Sequence, residues 1–120
     1  MTDKERFIEE MKIRTKKFAA DIILFVDTLK KCKASDVITC QLVKSATSEV
    51  ANYRAACRAR SKAEFYSKMS IAVEEADESE FWLELIDDTN LSSDQKERDR
   101  LLKEANELLK IFSTARSNTK

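Results

Sequence analysis

Residues 45–69 read SATSEVANYRAACRARSKAEFYSKM. Within them Ala46, Val50, Tyr53 and Cys57 recur at steps of four, three and four, the spacing that lines one face of an α-helix. Ser61 and Glu64 then form a capping-box pattern, in which a serine hydroxyl accepts from the amide three residues on and the glutamate reaches back to the serine amide. Phe65 and Met69 resume the apolar period. Two helices joined by so short a turn must fold back on each other.

The same pattern extends in both directions. Phe18, Ile22, Phe25 and Leu29 lie upstream, Val43 joins the second helix, and Ala72, Ala76, Leu83 and Ile86 continue the third. Leu101, Ala105, Leu108, Phe112 and Ala115 line a fourth helix. Thr2 with Glu5 and Ser92 with Gln95 supply two more capping boxes, and Ser35 followed by Asp36 marks another helix start. The predicted helices run near 3–33, 36–59, 62–88 and 93–117. Short connections between them imply one all-α domain over residues 1–120, an antiparallel up-down-up-down four-helix bundle.

Composition closes off most chemistry. The 120 residues include no His, no Gly and no Pro. A His-based acid, base or metal ligand is therefore excluded, and so are the glycine-dependent phosphate loops and nucleophile elbow. Cys32, Cys40 and Cys57 form no C-x-x-C pair and read as reduced thiols of a cytoplasmic protein, with Cys40 and Cys57 expected as small core residues. The N-terminus begins without an apolar stretch, and no segment is apolar over the length of a membrane span. The expectation is a non-enzyme with no cofactor, no metal and no small-molecule substrate.

Apolar residues exceed what one bundle buries. Ile22 to Val26 are consecutive and encircle the first helix, so Ile23, Leu24 and Val26 cannot all face one core. Phe81, Trp82 and Leu85 spread likewise over the third helix. These six residues are the candidate interface of a homo-oligomer.

Charge is segregated although 22 basic and 22 acidic residues cancel. Residues 41–70 carry six basic and two acidic groups, a balance of +4, while 71–90 carry eight acids and no base. Lys44, Arg54, Arg58, Arg60 and Lys62 form a candidate contact surface for RNA or another anionic partner, because guanidinium groups four apart share a face and bind phosphate or carboxylate bidentately. The plainer expectation is that these arginines pair with Glu74, Glu75, Asp77 and Glu78 on the next helix. Those acids make a poor metal site, since hard cations want oxygens converging from a loop or several helices. Asn52, beside Ser45 and Ser48, is expected to be buried in a structural polar network that fixes helix register.

The blocks SATSEVANYRAACRARSKAEF (45–65) and EEADESEFWLELI (74–86) resemble the 23S rRNA intervening-sequence proteins, a family of four-helix bundle proteins. The resemblance implies a bacterial, cytoplasmic homopentamer with a protein or RNA partner, and a fold similar to the accessory variability proteins of diversity-generating retroelements. It carries over onto Asn52, Tyr53, Arg54, Arg58, Arg60 and Ser61, then Glu74, Glu75, Asp77, Glu78 and Trp82. Relatives commonly have Gly or Pro where this chain has Glu49 and Val50.

Overall fold

The computed structural model describes residues 1–119, which form four α-helices and no strand. They are α1 (Asp3–Phe25), α2 (Lys33–Cys57), α3 (Lys62–Asp88) and α4 (Gln95–Ser117). Thr2 and Glu5 close the capping box that begins α1, each side chain bonded to the other's amide. Ser61 caps α3 by accepting from the Glu64 amide at 3.0 Å.

Two starts differ from the sequence expectation by a short register shift. Cys32, not Ser35, is the N-cap of α2, and Ser35 is its third residue, accepting from the Cys32 amide. Asp94, not Ser92, caps α4 by accepting from the Glu97 amide at 3.1 Å. A carboxylate at that position also meets the positive end of the helix dipole.

The larger correction is the end of α1, which stops eight residues before the predicted 33. Val26–Thr28 tighten into one 3₁₀ turn, and Leu29 turns extended. Its neighbours leave the helix ladder for the α3–α4 connection: the Lys30 amide donates to Leu91 O at 2.8 Å and the Ser93 amide to Thr28 O at 3.2 Å. Leu29 and Ser92 face each other across this antiparallel bridge. The two connections thus clasp one end of the molecule, and backbone groups that a longer helix would have used are satisfied across it.

α3 ends without glycine. Asn90 takes φ 53°, the left-handed conformation that asparagine tolerates best among residues with a Cβ. The Leu91 amide reaches back to Ile86 O and the Asn90 amide to Asp87 O, both at 3.1 Å, which completes a Schellman stop.

The core collects most of the residues expected from the period and adds Leu42, while Val43, Cys57, Phe65 and Ala115 pack partly buried against it. Phe18, Ile22 and Phe25 of α1, Leu42, Ala46 and Tyr53 of α2, Met69, Ala72, Leu83 and Ile86 of α3, and Leu101, Leu108 and Phe112 of α4 are all buried. Each large aliphatic among them contributes on the order of 2 kcal/mol by leaving water. Tyr53 stacks on Phe112 with ring centroids 5.3 Å apart, tying α2 to α4 across the core. Cys57 packs half-buried against this cluster, whereas Cys40, expected inside, lies exposed on the outer face of α2.

Candidate functional site

The end of α2 and the start of α3 put Arg54, Arg58, Arg60 and Lys62 in solvent around one turn, with Lys44 exposed farther back along α2. Arg60 makes a single loose pair with Glu64 at 3.7 Å. Among the described residues Arg54 and Arg58 pair with no acid, and the expected bridges to Glu74, Glu75, Asp77 and Glu78 are not formed. The reason is helical geometry. Ser48 lies beside Glu75, so the Ser48–Asn52 flank of α2 is the one turned to the acidic part of α3. Arg54 stands two residues, about 200°, from Asn52 and so on the other flank, and Arg58 lies ten residues, roughly 15 Å, beyond Ser48 toward the turn.

Three other arginines behave differently, although Arg116 too makes no ion pair among the described residues. Arg14 binds Glu104 and Glu107, Arg98 binds Asp87 and Asp99, and Arg100 binds Asp21 and Glu97. These pairs join α1 and α3 to α4, and the hairpin arginines have no counterpart to them.

Asn52 is half-buried, and its amide donates to Ser48 O and Oγ one turn back on its own helix. Among the described residues no hydrogen bond joins it to Glu74, Glu75, Asp77 or Glu78. A fully buried polar link between α2 and α3 is the Ser45–Ser79 hydroxyl pair at 2.9 Å. Glu74 and Asp77 are exposed; Glu78 accepts from the Trp82 indole at 3.3 Å. Burial, then the neighbouring Glu78, raises the Glu75 carboxyl above the ordinary carboxylate range. Among the described residues no three acids or cysteines converge on a possible cation position.

Sequence reasoning passed over the most unusual polar group. Glu49 is 0% exposed, and neither carboxylate oxygen has a hydrogen-bond partner. Burial pushes its carboxyl up to about 8, with Glu75 and Glu104 adding to the rise. The Ser79 hydroxyl approaches and counters part of this rise, but its bonds go to Ser45 and Glu75 O. The signal was available: Glu49 falls between Ala46 and Tyr53 on the apolar face, at steps of three and four.

The candidate oligomer residues divide by depth. Leu24 is 70% exposed and Ile23 and Phe81 are each 48% exposed, whereas Val26, Trp82 and Leu85 are half-buried. Phe81 and Trp82 meet edge-on at 4.9 Å. Ile13, three turns before Leu24 on the same line of α1, and Val37 on α2 are also exposed and add apolar surface the sequence had not marked. Leu24 also borders a surface groove of about 430 Å³ between the end of α1 and the start of α4, with Thr28, Lys96 and Arg100. No helix among the described residues is long and apolar enough to cross a membrane.

Comparison with known proteins places this geometry. The model of the family described as 23S rRNA-intervening sequence protein matches residues 10–114. A crystal structure from Bacteroides thetaiotaomicron VPI-5482, described as a protein with unknown function from the S23 ribosomal protein family, superposes with a TM-score of 0.78 at 30% identity, covering 92% of this chain and 97% of that one. No curated protein matches the sequence.

Proposed function

Because the chain belongs to the 23S rRNA-intervening sequence protein family, we propose that it is a non-enzymatic, cytoplasmic interaction protein that works as a homo-oligomer and engages an anionic partner through the α2–α3 turn. One observation carries the partner site: Arg54 and Arg58 stand in solvent without acids, while Arg14, Arg98 and Arg100 are all paired. A guanidinium pair left without intramolecular partners keeps its bidentate donors for phosphate or carboxylate.

The exposed apolar residues Ile23, Leu24 and Phe81 support self-association, a ring of five being what the family resemblance implies. Contacts running in opposite senses, Arg14 to Glu104 and then Asp21 to Arg100, support an up-down-up-down order of helices within each subunit. In such an assembly each subunit repeats the basic turn, so weak single contacts multiply by avidity.

The leading reading is a protein partner held by a scaffold. Arg54→Glu with Arg58→Glu abolishes partner capture in a pulldown and leaves the oligomer mass unchanged; undiminished capture refutes the site. The second reading, RNA, is favoured by the same pair of unpaired arginines. Its mark is a polarisation titration with a labelled structured RNA in which affinity falls steeply between two salt concentrations and the double variant loses it. Absence of RNA binding at low salt leaves the protein partner.

A further inference from the structure

The groups that act on Glu49 from the elements packed around it are acids and a neutral hydroxyl. From α3 come Glu75 and the Ser79 hydroxyl, and from α4 comes Glu104. Glu104 in turn binds a cation, Arg14 of α1, which donates to it at 2.8 and 2.6 Å and to Glu107 at 2.8 Å. On α2 itself Ser45 lies one turn away, bonded to Leu42 O and to Ser79, and Tyr53 lies one turn on in the aromatic stack with Phe112. No water-facing route opens, since the residue is 0% exposed. An ionised carboxylate in such a place has neither solvent nor counter-ion nor hydrogen bonds, the costliest condition for a charge in a protein.

We propose that Glu49 is a proton-held lock: the carboxyl is seated between α2, α3 and α4 as the neutral acid, and loss of its proton loosens the seam between α2 and its neighbours. The inference concerns the core and stands apart from the partner site at the α2–α3 turn. It makes the bundle alkali-sensitive through one internal group. The sign follows from proton counting. The unfolded chain releases this proton near the ordinary glutamate value and the folded chain only at higher pH, so between the two the folded state binds the extra proton and stability falls as pH rises.

The test is the urea midpoint of the full chain and of Glu49→Gln, which keeps the shape and removes the titration, from pH 5 to pH 9. The ratio of the two folding constants is expected to shift against the native protein by about tenfold per pH unit between pH 5 and 8, then level off. A ratio independent of pH overturns the proposal. Should the glutamine variant not fold, infrared spectra of a Glu75→Gln protein retaining Glu49 give the answer. A protonated-carboxyl band present in the folded protein at pH 7 and lost by pH 9.5 supports the lock, and no such band at pH 7 refutes it.

Discussion

Arg14 and Glu104 form a two-pronged bridge from α1 to α4, Nε donating to Oε2 at 2.8 Å and Nη2 to Oε1 at 2.6 Å. The same Nη2 donates to Glu107 at 2.8 Å. The hydrogen bonds from Arg14 are the main reason the Glu104 carboxyl lies below the ordinary carboxylate range. A fork of this geometry is stronger than a single-point ion pair, though solvent at the arginine weakens it. A double-mutant cycle of Arg14→Ala and Glu104→Gln is expected to give a coupling of about 1 kcal/mol, measured by urea unfolding. Additive effects of the two changes would remove this bridge from the account of how α1 is held.

Acid stability follows from the same bridges. Burial works against the Asp21 carboxylate, but hydrogen bonds from Lys17 and Arg100 outweigh it and hold its pKa low, as Arg14 does for Glu104. A group lowered on folding stabilises above its unfolded value and loses that contribution as pH falls through the folded one. Glu49 has the opposite sign, its cost growing from the ordinary glutamate value up to about 8. The two trends meet in mildly acidic solution, so the urea midpoint should peak at about pH 5 and fall on both sides. A midpoint still rising between pH 6 and 8 would contradict this balance.

The stop of α3 depends on Asn90 at φ 53°. A β-branched residue resists that conformation, so Asn90→Val should cost about 1–2 kcal/mol in unfolding free energy. Asn90→Gly should cost little, because glycine reaches the left-handed region without strain. Equal effects of the two substitutions would mean that the Leu91–Ile86 and Asn90–Asp87 bonds do not fix the turn.

Leu24 and Phe81 lie outside the core, so charging them leaves the chain able to fold. Leu24→Asp and Phe81→Asp are expected to lower the mass seen by light scattering while helical content stays unchanged. A native protein already monomeric at micromolar concentration would dispose of the oligomer.

How far the sequence reached can be judged residue by residue. The periods placed Phe18, Ile22, Ala46, Met69, Leu83, Leu101 and Phe112 inside, and all are buried, whereas on α2 the period marked Val43, which is only half-buried, and passed over its fully buried neighbour Leu42. Thr2 and Ser61 marked their helix starts, because a capping box is a local hydrogen-bond pattern. The end of α1 was illegible for the converse reason. Residues 26–33 contain no glycine or proline, and only the bonds from Lys30 to Leu91 and from Ser93 to Thr28, across more than sixty residues, draw the chain out of the helix.

The candidate site divides along the same line. The basic turn from Arg54 to Lys62 could be written down from composition alone, since charge is counted along the chain. That Arg54 misses the acids of α3 could not, because its pairing depends on the rotation of α2 about its axis against α3; Arg58 misses them by its distance along the hairpin. Nor could a period reveal that Glu49 has no partner. Local hydrogen bonds and apolar spacing are properties of neighbouring residues, and they determined four helices and their buried faces; which charges meet, and which are left alone in the core, was decided by how those helices are turned toward one another.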